Sequence, residues 1–241
     1  MVLVCGTREE RVPLEWCEGG GRSRAALRDR VAAVSREALL QPIAGTEISL
    51  EEWAALPEDE PGELVDGCLE EEEVPELVHA VLVAALCHLL RAWLRPRGGL
   101  VAGSGTKLAV GERRGRMPDV VVWLPGRRPP ARGLIRVPPD IAVEIVSPTP
   151  RDARRDRVEK VDDYAAFGVR WYWIVDPELR SLEIFELGPD GRYVHALGAT
   201  SGVIDPVPGC EGLTLDLDEL WGEIDRLGDE GKEGPLPPAP S

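Results

Sequence analysis

The sequence predicts an α/β (α+β) domain, a mixed central sheet with helices on its flanks, ending in a disordered C-terminal tail. Three observations carry that expectation. Glu76–Leu94 repeats Leu77, Val81, Ala84, Ala85, His88 and Leu89 at i, i+3, i+4 spacing, the period of a helix with one apolar face. Asp119–Leu124 and Ile141–Val146 are rich in Val and Ile with little alternation, as strands covered on both faces are. A polar stretch, Thr149–Phe167, then leads into further strand-like runs at Trp171–Val175 and Ser181–Leu187.

The 241 residues suit one domain with extensions, and a 43% hydrophobic content excludes a wholly disordered chain. Residues 1–45 read as an N-terminal extension, with a flexible break at Gly19-Gly20-Gly21 and one amphipathic helix over Arg22–Leu40, where Leu27, Val31, Val34 and Ala38 recur. Residues 46–222 form the domain, and 223–241 the tail, whose last part, Gly228–Ser241, has a disordered composition. No apolar run approaches the ~20 residues that cross a bilayer. Met1–Cys5 is broken by Arg8–Arg11 and falls short of a secretory signal. The expectation is a cytoplasmic protein without a membrane partner.

Within the domain, Ser49 followed by Glu52 is a capping box opening a short helix, Leu50–Ala55. Asp66-Gly67 marks a turn between short extended runs in Glu63–Leu69. The long helix stops at Pro96 and Gly98-Gly99. Leu100–Ala102 and Thr106–Val110 are short strands, and Arg192–Ala196 is a further one. In Thr149–Phe167 the inner side is expected to hold Val158, Val161 and Ala165. Trp171 and Trp173 share one strand face and read as core.

The five cysteines are scattered without a CxxC pair, which favours free thiols over zinc or disulfides, and there are only three histidines. Any metal therefore takes mostly oxygen ligands, pointing to Mg²⁺ or Mn²⁺. The net charge of −15 conceals a polarised distribution. Glu47–Glu76 holds thirteen acidic residues and no base, whereas Arg91–Arg136 holds eleven basic residues against Glu112 and Asp119. Such a local excess attracts phosphates or merely solubilises loops.

Asp119 opens one apolar strand and Glu144 lies inside another, where an unpaired carboxylate costs several kcal/mol. Asp119 and Glu144 at the ends of neighbouring strands suit one Mg²⁺, although Asp119 also fits a strand start and Glu144 an ion pair with an arginine. Asp152, Asp156, Lys160 and Tyr164 line one side of the following helix at i, i+4, i+8, i+12. An ordinary surface ion pair explains Asp156 and Lys160 equally well.

The run from PDVVVW through EIVSPTPRD to YWIVDP, Pro118–Pro177, together with Glu51-Glu52-Trp53, ELVDG at Glu63–Gly67 and the histidine His79, resembles the Uma-two family of restriction endonuclease-like proteins, within the PD-(D/E)XK nuclease superfamily. The resemblance covers about Ile48 to Leu187. It implies a restriction-endonuclease-like fold and a Mg²⁺-dependent (or Mn²⁺-dependent) endonuclease acting on DNA. Asp119, Glu144 and Lys160 would be the catalytic residues, and Asp119, Glu144 and the Ile145 carbonyl the metal ligands. Asp156, Tyr164, His79 and Glu63 would be accessory. The family's motif places a lysine two residues after the glutamate, where this chain has Val146, and the role passes to Lys160. Arg113, Arg114 and Arg116, with the loop Gly126–Arg136, are candidate phosphate contacts, and a homodimer is expected by analogy with enzymes that cut both strands. The alternatives are a catalytically inactive nuclease-fold binding or assembly module, and a phosphodiesterase acting on RNA or nucleotides.

Overall fold

The computed structural model describes residues 47–57, 62–70, 76–147 and 155–228. The expected N-terminal extension, its helix at 22–40, the start of the polar helix at 149–154 and the tail from 229 lie outside the described residues.

Three β-sheets, the smallest a two-stranded pair, and four α-helices make up the described fold. Helix α1 (Leu50–Ala55) starts at the capping box, with Ser49 accepting from the Glu52 N–H and Glu52 returning the bond to the Ser49 N–H. Strands β1 (Glu63–Val65) and β2 (Cys68–Glu70) pair through Asp66-Gly67, both at positive φ (52° and 85°), as a two-residue hairpin turn requires. Helix α2 (Leu77–Leu94) buries Leu82, Leu86, Leu90, Trp93 and Leu94. Strands β3 (Leu100–Ala102), β4 (Leu108–Gly111), β5 (Arg114–Arg116), β6 (Val120–Trp123) and β7 (Ile141–Ile145) follow. A π-helical turn at Arg155–Glu159 runs into helix α3 (Lys160–Phe167). Strands β8 (Trp171–Asp176), β9 (Ser181–Leu187) and β10 (Tyr193–Ala199), a small pair β11 (Val203–Ile204) and β12 (Leu215–Asp216), and helix α4 (Leu217–Asp225) complete it.

The main sheet has the order β10-β9-β8-β7-β6-β3, with β7 and β8 parallel and every other pair antiparallel. Its alternating side chains feed two cores. Val120, Val122, Ile141, Val143, Ile145, Trp171 and Trp173 face α2 and α4. Val121, Trp123, Ala142, Val146, Tyr172 and Ile174 face β4 and α3. A second sheet, β2-β1-β5-β4, lies on that latter side, with α1 closing a third cluster around Trp53, Leu64 and Ala109.

Gly115 in β5 is a point of close approach: a Cβ there would sit 2.3 Å from the Trp53 ring. Gly115→Ala is therefore expected to destabilise the protein by roughly 1–3 kcal/mol through overpacking, read as a lower urea midpoint at unchanged slope.

Several expectations need correction. Strand β5 has no counterpart among the expected strands: its sequence RGR has no apolar signal, and it extends because β1 and β4 pair with it on both sides. The small pair β11–β12 and α4 were also unforeseen, and α4 continues to Asp225, past the expected domain limit at 222. Val158 is 55% exposed rather than inward-facing. The side turned inward holds Arg155, Asp156, Lys160, Asp163 and Tyr164, because polar partners wait there. Finally, Leu77–Arg97 is long and apolar enough to cross a membrane by length and composition alone, despite the contrary reading of the sequence. Its face of Leu82, Leu86 and Leu90 is fully buried against the main sheet.

Candidate active site

On β7, period-two alternation sends Ile141, Val143 and Ile145 into one core and leaves Glu144 on the opposite face with Ala142 and Val146. The antiparallel register Val120↔Val143, continued by one residue, sets Asp119 across from Glu144, on the same face. The side chain of Asp119 is pinned there, its Oδ2 accepting from the Ile145 N–H at 2.7 Å. Its other oxygen lies 2.9 Å from His79 Nε2, at the start of α2.

Helix α3 delivers the remaining groups. Lys160 Nζ stands 3.0 Å from Glu144 Oε2, 3.2 Å from Asp156 Oδ1 and 3.5 Å from Glu63 Oε1. One turn on, the Tyr164 hydroxyl donates to Glu144 Oε1 at 2.5 Å, and its ring lies 5.2 Å from that of Tyr172. The Tyr172 hydroxyl donates to the Asp156 carbonyl at 2.9 Å, which ties the π-helical turn to β8. Lys160 and Glu144 are buried, so their attraction is far less screened than that of a surface pair.

A second layer holds this cluster. Arg116 on β5 reaches Glu63 Oε2 at 2.6 Å and, through Nε, Asp163 Oδ2 at 2.8 Å. Its Nη2 is 2.6 Å from the same Asp163 oxygen, an ion-pair contact without hydrogen-bond alignment. Glu63 Oε1 also accepts from the Met117 N–H at 2.9 Å. Arg114 joins Asp163 to Asp66 in the hairpin turn.

Sequence reasoning therefore singled out groups that the fold brings together: Asp119 with His79, and Glu144 with Lys160, Tyr164, Asp156 and Glu63. The three arginines singled out as phosphate contacts need correction. Arg116 is fully buried between two carboxylates, Arg114 is held by Asp163 and Asp66, and Arg113 pairs with Glu47. Each has found an internal anion, which a reading of linear charge cannot see. Asp163 is the residue that sequence reasoning missed, and Arg116 is the one it placed in the wrong role; an arginine between Gly115 and Met117 carries no signal of burial.

Electrostatics divides the carboxylates. Burial pushes the Glu144 carboxyl well above its ordinary range; Lys160 pulls it down, while Asp156, Asp119 and Glu63 push it further up. Burial likewise raises Asp156 against the pull of Lys160. Burial would raise Glu63 too, but Lys160, Arg116 and the Met117 N–H outweigh it and hold that carboxyl below its ordinary value. Burial beside Glu144 raises the Tyr164 hydroxyl, so it remains a hydrogen-bond donor.

Among the described residues no group of three or more His, Cys, Asp or Glu side chains is arranged to hold a metal ion. The donor chemistry nevertheless suits a hard cation: two carboxylates, Asp119 and Glu144, face each other from neighbouring strands, and a cation would favour the ionised form of Glu144 that burial and, to a lesser degree, the neighbouring carboxylates disfavour.

Residues 49–218 match the model of the Uma2 family, described as putative restriction endonuclease. This chain belongs to the Uma2 family. No curated protein matches it. Among solved structures, the Uma2 chain is similar to a putative nuclease of the DUF820 group from Anabaena variabilis ATCC 29413. The two share 20% identity with a TM-score of 0.60, over 73% of this chain and 99% of that one. That likeness establishes the fold, in agreement with the expected restriction-endonuclease-like architecture.

Proposed function

We propose that this Uma2 protein is a metal-dependent endonuclease that hydrolyses phosphodiester bonds in DNA. The observation that carries the reading is the placement of Lys160 Nζ 3.0 Å from Glu144, with Asp119 facing Glu144 from the neighbouring strand. The motif that the sequence resembles sets an amine beside two carboxylates, and in this reading Lys160, from the next helix, takes the place that Val146 leaves.

In this reading Asp119, Glu144 and the Ile145 carbonyl would hold Mg²⁺ or Mn²⁺, which supplies charge neutralisation at the phosphate and an acidified water. Lys160 orients the attacking water and faces the negative charge that develops on the phosphate. Asp156 and Glu63 limit the positions Lys160 adopts, and the Tyr164 O–H fixes the rotation of the Glu144 carboxylate. The Ile145 N–H holds the Asp119 carboxylate toward β7, and His79 engages its other oxygen.

A second reading, a nuclease fold that binds without cutting, is favoured by one observation: both Glu144 oxygens and both Asp119 oxygens already have protein partners. The experiment is a cleavage panel of duplex DNA, single-stranded DNA, RNA and small phosphodiesters with Mg²⁺ or Mn²⁺. Asp119→Ala and Glu144→Ala are each expected to slow DNA cleavage roughly 100-fold. Cleavage that survives both substitutions would remove the catalytic assignment. Cutting of RNA or nucleotides alone would replace DNA as the substrate.

A further inference from the structure

We infer that the exposed face of α2 is the contact surface for a second copy of this chain, the two helices lying antiparallel across a two-fold axis at Ala84. The pairing does not depend on the nuclease reading.

Helix α2 is more apolar than its place in the fold requires. Its most apolar 18-residue stretch suits a membrane-crossing helix by composition, yet only 28% of that stretch is buried. The buried share is the stripe Leu82, Leu86, Leu90, Trp93 and Leu94, which packs on the main sheet. On the opposite side Leu77 is 66% exposed, and Ala80, Ala84 and His88 follow it as exposed residues. Half-buried Val81 and Cys87 flank them. At ~100° per residue, Leu77, Ala84 and Arg91 lie within about 40° of one another around the axis. A contiguous apolar face of this kind marks a contact surface.

Charge stands at the two ends of this face and nowhere between. Exposed Glu76 is the N-cap, and exposed Arg91 and Arg95 close the other end. Residues 77–90 contain no Asp, Glu, Lys or Arg. Among the described residues, Glu76, Arg91 and Arg95 form no ion pair. A two-fold axis makes such an arrangement self-complementary. With Ala84 at the axis, Leu77 faces Arg91 of the second copy, and Ala80 faces His88. Glu76 lies ~12 Å before the axis, and Arg91 and Arg95 lie ~10 and ~16 Å beyond it. Each glutamate therefore meets the two arginines of the other copy, while the Arg91 stem covers Leu77. A parallel pair would set glutamate against glutamate and arginine against arginine.

The acidic helix α4 fits the same symmetry. It carries Asp218, Glu219, Glu223 and Asp225. Trp221 Nε1 donates to the Thr200 carbonyl just past β10, and Arg180, in the turn between β8 and β9, pairs with Asp225. Strands β7 and β8 both run toward that end of the sheet, and antiparallel β6 starts there, next to Asp119 and its partner His79. So α4 lies at the end where α2 begins. The two-fold axis carries the α4 of one copy toward the arginine end of the other copy's α2 and keeps the two acidic helices apart. Two chains of net charge −15 repel at long range, so a contact between them must match charge where it forms.

The test is sedimentation velocity of the full chain in EDTA across ~1–100 µM, which brackets the micromolar range of a small interface. The parent is expected to pass from monomer to dimer. Ala84→Glu, which brings like charges together at the axis, should weaken association tenfold or more. Glu76→Arg and Arg91→Glu/Arg95→Glu should each weaken it by about fivefold or more, since each sets like charges opposite one another. Mixed in equal amounts, those two variants should associate with each other to within about threefold of the parent, one copy now presenting only bases and the other only acids. Arg136→Glu/Arg192→Glu changes net charge as much as the Arg91/Arg95 variant does, away from α2, and should stay within about twofold of the parent. Circular dichroism verifies that each variant is folded, and Ala84→Glu decides the matter if a charge reversal at a helix end disrupts folding. A dimer untouched by Ala84→Glu would overturn the pairing, as would a mixture that associates no better than its separate components. A parent that stays monomeric throughout would also overturn it, leaving the face to residues 1–45 or to a membrane surface.

Discussion

Arg116→Met is expected to lower the stability of this protein by about 3–5 kcal/mol, a large share of the ~5–15 kcal/mol typical of a domain. Arg116 is 1% exposed at its side chain and stands between Glu63, 0% exposed, and Asp163, 7% exposed. Removing the guanidinium leaves two buried carboxylates, of which Glu63 keeps only Lys160 at 3.5 Å and the Met117 N–H. The cost comes from those stranded anions more than from lost packing. Arg116→Lys should fall between parent and Met, since it restores the charge without the planar fork that reaches both partners. Adding Glu63→Gln and Asp163→Asn to Arg116→Met should recover part of the loss, because neutral amides are cheaper to leave buried. Urea midpoints of the variants decide the matter. A single Arg116→Met loss below ~1 kcal/mol would mean the pair is hydrated like a surface bridge.

Lys160→Met has two expected consequences. Under the nuclease reading, the loss of the amine facing the phosphate should slow cleavage by ~10²–10³. Independently of activity, stability in EDTA should come to depend on pH in a definite direction. Burial raises Glu144 and Asp156, and Lys160 is the group that pulls both down. Without it both rise further, so the folded protein holds protons that the unfolded chain has released. Stability then falls as pH climbs from the ordinary carboxyl range through the raised values. Glu63 works in the opposite sense: its lowered carboxyl contributes stability above the ordinary range and loses it on acidification, though it keeps Arg116 in this variant. Two raised groups against one lowered should leave Lys160→Met more stable near pH 5 than near pH 8, by a wider margin than the parent. Urea titrations at the two values test this, and a variant no more acid-favoured than its parent would remove Lys160 as their shared counter-ion.

Much of this arrangement is legible in the sequence. The β6 and β7 runs read as buried strands because Val and Ile fill both faces, and Glu144 stands out because an embedded carboxylate must have a partner. The capping box at Ser49 and the turn at Asp66-Gly67 are local devices whose cause lies within a few residues. What escaped reading depends on contacts distant along the chain. Strand β5 exists because β1 and β4 offer it hydrogen bonds, not because RGR prefers to extend. The inner face of α3 is charged, so a search for apolar periodicity selects the wrong side and places Val158 inward. Arg113, Arg114 and Arg116 look like a solvent-facing basic run until Glu47, Asp66, Glu63 and Asp163 arrive from elsewhere to neutralise them.

Helix α3 is fastened largely through ions and hydroxyls, and its counter-charges sit on β1, β5 and β7. The cluster around Glu144 is therefore complete only when the hairpin, the long strands and the helix are all in place, since Glu63, Asp119, Glu144 and Lys160 come from separate parts of the chain. An enzyme of this design would be harmless while being synthesised, becoming capable of cutting only at the moment of final assembly.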